Sequence, residues 1–157
     1  MGRVAWRVGV IADTHGVLRP EALDALEGSD QIVHAGDIGS PEILDALEAI
    51  APVTAVRGNV DRGAWARRLP RTAVLDVGGS PLYVLHDLND LDLDPAVGGF
   101  AAVIAGHSHR PRQEERDGVL YFNPGSAGPR RFTLPVTVGR LTVDGSTVRA
   151  QIVTLAV

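Results

Sequence analysis

Val8-Gly9-Val10-Ile11-Ala12-Asp13-Thr14-His15-Gly16 is the stretch whose reading decides the fold. Its first five residues are a continuous apolar run of strand length, the pattern of a strand buried on both faces. The run stops at Asp13-Thr14-His15, a polar punctuation that carries metal-binding side chains. The arrangement returns along the chain: residues 31–35 run into Gly36-Asp37, 53–56 into Gly58-Asn59, 81–85 into His86, and 101–105 into Gly106-His107-Ser108-His109. Helices separate the first three of these strands. One covers residues 20–26 (PEALDAL) with Pro20 in its first turn. Another opens at Pro41, with Ser40 as its N-cap, and runs to about residue 50 with Ile43, Leu44 and Leu47 on one face. Strand, helix, strand, helix, strand is the signature of a parallel sheet with right-handed crossovers.

The pattern then changes. Residues 72–77 and 81–85 flank Gly78-Gly79-Ser80, 113–116 and 119–122 flank Asp117-Gly118, and 137–143 and 147–155 flank Asp144-Gly145. Each pair reads as a β-hairpin, so the second half is expected to be mostly antiparallel. Two sheets stacked face to face with helices outside accommodate both halves. Residues 89–99 admit either a short helix beginning at Asp94-Pro95 or a loop. No repeat, low-complexity tract or linker divides the chain, and residues 1–157 read as a single domain.

Composition narrows the chemistry. The 157 residues are 45% hydrophobic and 22% charged, with a net charge of −4, ordinary values for a globular protein. The acidic balance gives no footprint for nonspecific binding of long nucleic acid. Cysteine is absent, so thiolate zinc sites and cysteine nucleophiles are excluded. All 15 basic residues are arginine, which removes Schiff-base chemistry and a P-loop lysine. Residues 1–7 have no apolar signal core and no apolar stretch could span a bilayer, so a cytoplasmic protein without a membrane partner is expected.

Ligands of open α/β sheets bind outside the carboxyl ends of the strands. Asp13, His15, Asp37, Asn59, His86, His107 and His109 all follow such ends, on five separate segments. Asp13 with His15, and His107 with His109, are two apart and can reach adjacent coordination positions. Gly16, Gly36, Gly58 and Gly106 permit sharp turns and close backbone approach. One metal ion rarely needs seven protein ligands, whereas two neighbouring ions sharing a bridge do, so the chain reads as a two-metal hydrolase.

The ordered series Asp13-Thr14-His15-Gly16, Gly36-Asp37, Gly58-Asn59-Val60-Asp61, His86, Gly106-His107-Ser108-His109 and Asn123-Pro124-Gly125-Ser126 resembles the calcineurin-like metallophosphoesterases over essentially the whole chain. It is most similar to the small bacterial and archaeal branch, the YfcE-like phosphodiesterases. The resemblance implies a four-layer α/β/β/α sandwich of two mixed sheets flanked by helices. It assigns one metal to Asp13, His15, Asp37 and His109, and the second to Asp37, Asn59, His86 and His107, with Asp37 bridging. Asp37, Asn59 and His86 count as catalytic positions as well. Mixed nitrogen and oxygen ligation suits manganese first, with iron, zinc, nickel or magnesium as alternatives, over calcium. Such a pair polarises phosphoryl oxygens and supplies a bridging hydroxide for in-line attack on a small phosphodiester, nucleotide-derived diesters among them.

Two departures stand out. Many relatives carry a histidine after the Gly-Asn pair, where it protonates or stabilises the leaving group; here Val60 stands there, which predicts a diesterase of modest power. The small phosphodiesterase branch also lacks that histidine and has an aspartate next, as Asp61 is here. The fourth motif reads Leu85-His86-Asp87, where Asp87 is either a partner of His86 or the start of a solvated loop. Around the motifs, His34 is expected behind the metals, and Asp61 as a loop cap or a partner of the ligands. Asn123 and Ser126 are expected to hold the loop beneath the metals. Arg57, Arg62 and Arg110 are either phosphate contacts or solvated arginines, and Trp65 is pocket wall or core. The rival functions are a protein-interaction scaffold, as in the retromer subunit of this fold, and a phosphomonoesterase or nuclease on the same site. A homo-oligomer is compatible with the sequence.

Overall fold

The computed structural model describes residues 5–157. The first sheet takes β1 (Trp6–Ile11), β2 (Gln31–His34) and β3 (Val53–Ala55), joined through α1 (Pro20–Leu26) and α2 (Pro41–Glu48). After α3 (Ala64–Arg67) come β4 (Thr72–Val77), β5 (Ser80–Leu85), a 3-10 turn (Leu88–Asp90), β6 (Ala102–Ile104), β7 (Arg112–Arg116), β8 (Val119–Asn123), β9 (Thr137–Asp144) and β10 (Thr147–Thr154). The sheet orders are β10-β9-β1-β2-β3 and β4-β5-β6-β8-β7. Both sheets are mixed: β1 pairs parallel with β2 and antiparallel with β9, while β5, β6 and β8 are mutually parallel between two antiparallel edges. The expected sandwich is therefore present.

Alternation along each strand builds the layers. Val8 and Val10 of β1 face inward, with Val33, Val56, Leu82, Val84, Ile104, Phe122 and Leu141, to form the core between the sheets. Ile11 and Ile32 face the other way and pack under Leu26 of α1 and Ile43 and Leu47 of α2. The outer face of the second sheet buries Tyr83, Leu85 and Val103 under Leu88, Leu91 and Phe100. Its covering layer is thus the 3-10 turn and the following loop.

Several sequence expectations are corrected. The three expected hairpins are present as β4–β5, β7–β8 and β9–β10, but the halves do not divide cleanly between the sheets, because the β9–β10 hairpin returns to β1 and the second sheet has a parallel centre. Periodicity reports which residues alternate, not which strand edge they meet. Ser40 stands at the N-cap of α2 with extended backbone, but its side chain makes no capping hydrogen bond. Around Asp94-Pro95 the chain makes one turn, closed by the Gly98 amide on the Asp94 carbonyl at 2.9 Å, rather than a helix. The strand before Asp13 starts earlier than residue 8, because antiparallel pairing with β9 recruits Trp6 and Arg7. The single-turn α3 has too few residues for a periodic signal. No helix among the described residues is long and apolar enough to cross a membrane.

Candidate metal centre

The carboxyl ends of β1, β2, β3, β5 and β6 open toward one cleft, and the loops that follow them are laced together. The Asp13 amide donates to the Gly36 carbonyl at 3.0 Å, the His15 amide to the Asp37 carbonyl at 2.9 Å, and the Gly16 amide to the Ile38 carbonyl at 2.8 Å. A Cβ on Gly58 would collide with the amide and carboxylate of Asp37, so glycine is what lets the β3 loop close onto the β2 loop. Among the described residues, seven non-glycine residues have positive φ, and five of them are Asp13, His15, Asp37, His107 and His109. Left-handed backbone is unfavourable for such residues and persists where the surroundings hold it. Here it turns the side chains toward one another at the strand ends.

The donors fall into two groups. Asp13, His15 and His109 form one, and Asp37, His86 and His107 the other; within each, one ligand atom per residue lies within 4.8 Å of the rest. The groups are contiguous through Asp37, whose Oδ2 lies 3.7 Å from His15 Nε2 and 3.2 Å from His86 Nε2. Asp13 Oδ1 has three imidazole nitrogens around it: His109 at 3.6 Å, His15 at 3.9 Å and His86 at 4.0 Å. These spacings are too long for good hydrogen bonds. They suit donors around a shared ion, since ligands held at about 2.0–2.1 Å from a metal lie about 3 Å or more from one another. Asn59 is exposed and lines a cavity of about 210 Å³ together with His86 and Asp87.

Orphaned atoms test the fit. Asp13 Oδ1, His86 Nε2 and His109 Nδ1 are buried and make no hydrogen bond. Buried polar groups without partners are costly and call for an explanation. A cation beside Asp13 Oδ1 and His86 Nε2 would satisfy both, whereas His109 meets the site through Nε2, the atom nearest Asp13, and its Nδ1 is not part of that fit. The electrostatics agree. Burial pushes the Asp13 carboxyl up to about 7 against the pull of His86, because the proton stands in for a missing positive charge. Burial also acts to raise Asp37, but His86, the Val60 amide and His15 outweigh it and bring the carboxyl down to about 2. Burial, with Arg131 and His15 beside it, lowers His109 to about 4 and keeps it neutral, the form that binds metals. The residues present therefore fit divalent cations.

A second layer of hydrogen bonds fixes the donors. His86 Nδ1 donates to the Ala35 carbonyl at 2.8 Å, which leaves the Nε2 lone pair facing Asp37. The His107 amide donates to Asp13 Oδ2 at 3.0 Å, and the Val60 amide to Asp37 Oδ1 at 3.0 Å. Asp61 accepts from the amides of Ile38, Gly39 and Gly58 at 2.9, 3.0 and 2.9 Å, so it clasps two ligand loops. Ser126 donates to the Asp13 carbonyl at 3.0 Å, and Asn123 to the Gly106 carbonyl at 2.9 Å. His34 is wholly buried behind the site. Its Nδ1 accepts from the Gly36 amide, so Nε2 carries the proton and donates to Thr14 Oγ1, which donates in turn to the Ile38 carbonyl. Burial and the neighbouring His86 lower His34 to about 3, in keeping with this neutral relay.

Of the residues left with two readings, Asp87 opens the turn and loop after β5 and does not partner His86. One carboxylate oxygen accepts from the Asn89 amide at 3.0 Å and the other lies 3.6 Å from His107 Nε2, so it caps the 3-10 turn and faces His107 rather than His86. Trp65 packs with the core under the helices. Arg62 and Arg110 are exposed; Arg57 lines the Asn59 cavity, with its buried Nε unpartnered. Sequence reasoning missed Arg131, whose charge is felt by Asp13, His15 and His109. It follows no strand end, and the doublet Arg130-Arg131 gives no local sign of its destination.

The fold and this paired donor set define a metallophosphoesterase-type centre. The chain belongs to the calcineurin-like phosphoesterase superfamily, whose domain it matches over residues 6–146. It is 35% identical over 158 residues to a probable metallophosphoesterase of Methanothermobacter thermautotrophicus, with 93% of this chain and 91% of the relative covered. It is 26% identical over 157 residues to a phosphodiesterase of Methanocaldococcus jannaschii, covering 88% of this chain and 93% of the relative. Among solved structures, Vps29 of Entamoeba histolytica in complex with Zn²⁺ is similar in fold, with a TM-score of 0.71, 24% identity and coverage of 94% of this chain and 98% of that one.

Proposed function

We propose that the protein is a dinuclear metal-dependent phosphodiesterase acting on small phosphodiesters, with nucleotide-derived diesters the first to try. The observation that carries this reading is the merging of two three-residue donor groups through the Asp37 carboxylate. Asp13, His15, Asp37 and His109 would hold one ion. Asp37, Asn59, His86 and His107 would hold the other, manganese being the first choice for imidazole and carboxylate donors. Two carboxylates against two divalent cations leave the site positive, which favours a phosphate. Such ions, when bound, polarise the phosphoryl group and lower the pKa of water.

The chain's own residues do the rest. Asp37 is pinned by the Val60 amide and His86 by the Ala35 carbonyl, so neither must reorganise when the substrate arrives. Arg131 on one side and Arg57 on the other bring positive charge toward the cleft. Val60 is 47% exposed at the position where many, but not the small phosphodiesterase-branch, members of the superfamily carry a histidine, and its isopropyl group has no proton to give a leaving group. This supports a diesterase that depends on good leaving groups. The similarity to a protein named a phosphodiesterase points the same way. Completeness of the seven donors weighs against a scaffold that has lost its metals.

The test is metal content paired with turnover of a bis-aryl phosphate and of the matching aryl monoester in Mn²⁺. The diester should be the better substrate. Asp37→Ala should lose bound metal and about a thousandfold in turnover together, since charge stabilisation by such ions is worth several kcal/mol. Full turnover by metal-free protein would sink the proposal, and a faster monoester would reassign the substrate.

A further inference from the structure

A cavity of about 530 Å³ lies on the helix-side face of the first sheet, at the end away from the histidines. Two rungs of the sheet form its floor. Arg7 of β1 pairs with Thr142 of β9, which pairs with Arg149 of β10; one rung further, Gly9 pairs with Arg140, which pairs with Gln151. Side chains two apart share a face, and the intervening Val8 and Leu141 point into the core, so all these groups face outward together. Gly9 sets one wall: a Cβ there would come within 2.7 Å of Leu26 and Ser29, so its absence lets the end of α1 and the Ser29 turn pack onto the strand. The Arg140 Nε donates to the Ala25 carbonyl at 2.9 Å, which anchors that guanidinium on the rim.

Charge makes the cavity unusual. Three arginines, Arg7, Arg140 and Arg149, line it, against one lining carboxylate, Glu27. Asp30 stands nearby and accepts from the Arg7 amide. Among the described residues the arginines that form ion pairs are Arg112 and Arg116, both with Glu114; Arg7, Arg140 and Arg149 form none. Three like charges lining one cavity against a single lining carboxylate leave an excess of positive charge that an anion relieves. Arg7 is the second residue of β1 and Asp13 lies just beyond its end, about 20 Å away at the rise of a strand. The cavity therefore cannot serve a substrate seated at the candidate metal centre.

We propose that this cavity is a binding site for a di- or triphosphate chain, free or carried by a nucleotide. Guanidinium groups recognise phosphate oxygens in a bidentate manner, and Thr142, Gln151 and Ser29 add uncharged hydrogen-bonding groups. The backbones of Arg7 and Arg149 are two strand spacings apart, about 9.5 Å, a span that suits linked phosphates better than one. The volume lies within the usual range for small-molecule sites, about 300–1,000 Å³. The proposal is independent of the activity assigned to the metal centre.

Calorimetric titration of the purified protein with inorganic tripolyphosphate and with ATP, at near-physiological salt, tests it. The double variant Arg7→Gln, Arg149→Gln should bind tripolyphosphate about tenfold or more weakly with an unchanged unfolding temperature. In wild-type protein, the amide resonances of Ser29, Thr142 and Gln151 should shift on adding tripolyphosphate, a readout that does not depend on any variant folding. Tighter binding of ATP identifies a nucleotide ligand, and equal binding identifies the phosphate chain alone. Unchanged affinity in the double variant, shifts confined to residues around Asp13, Asp37 and His107, competition by sulfate as effective as tripolyphosphate, or tighter binding of a single-stranded oligonucleotide would each overturn it.

Discussion

The two donor groups are built from the same kinds of residue but are not alike. In the first, Asp13 and His109 are buried and His15 is half-buried. In the second, Asp37 and His86 are buried, His107 is exposed, and the proposed fourth donor Asn59 is exposed as well. The first group is closed beneath its loops, whereas the second opens onto cavities that also take in Asp87. Burial strengthens electrostatic attraction and slows exchange, and exposure does the reverse. The contrast predicts a tightly held ion at the first group and an exchangeable, substrate-facing ion at the second.

Removing one histidine from each group is the hardest test of this contrast. His109→Ala takes a 3% exposed donor from beside Asp13 and leaves that carboxylate with less to neutralise it. It should strip the tightly held ion and lower turnover by more than about a hundredfold, beyond the 10–100-fold typical of residues that only support ligands. His107→Ala should leave the first ion in place after dialysis and weaken the second. Metal-to-protein ratios measured after dialysis separate the cases; equal losses in both variants would erase the distinction.

The next effect concerns stability without metal. Burial raises the Asp13 carboxyl from its ordinary 3.8 to about 7. Between those values the folded chain binds a proton that the unfolded chain has lost, so the contribution of Asp13 to stability falls as pH rises from about 4 to 7. His34 and His109, held low by burial, contribute in the opposite direction, with a gain as pH rises toward 6.5. Both are common to wild type and variant, and they cancel in a difference. Metal-free Asp13→Asn should therefore unfold at higher temperature than metal-free wild type at pH 8, by roughly 4 kcal/mol at most. The gap should close toward pH 4. Adding Mn²⁺ should reverse the order, because a bound cation stabilises the wild-type carboxylate. A pH-independent difference would show that Asp13 is not the strained group.

The same contrast explains what could be read from the chain in advance. Apolar runs ending in Asp13-Thr14-His15, Gly36-Asp37 and Gly106-His107-Ser108-His109 are local patterns, and they placed the donors at strand ends together with most strand boundaries. The burial of His34 at the end of β2 was also legible. The adoption of the β9–β10 hairpin by β1 was not, because pairing partners are set by global packing. Asp87 turned toward His107 for the same reason: His107 arrives from β6, and nothing beside residue 87 announces it. The five left-handed donors were equally hidden, since Asp and His carry no marker of φ as glycine does. Arg7 is remote in sequence from Thr142 and Arg149, which share a hairpin, and meets them only in the register of β1 with β9.

Arg131 yields the smallest effect and sharpens the comparison from the substrate side. Its charge reaches Asp13, His15 and His109, all of the closed group, whereas Arg57 lines the cavity beside Asn59 and His86 on the open side. Arg131 is exposed and its neighbour Phe132 is 88% exposed at φ 54, so the segment stands clear of the core. Arg131→Ala should leave fold and metal content intact. An exposed guanidinium contributes modestly and in proportion to screening, so KM for an anionic diester should rise roughly threefold to tenfold with kcat nearly constant. Added salt should narrow the gap between variant and wild type. If kcat falls while KM holds, Arg131 acts on the reacting phosphoryl group itself, and the closed group is then as much a substrate-facing surface as the open one.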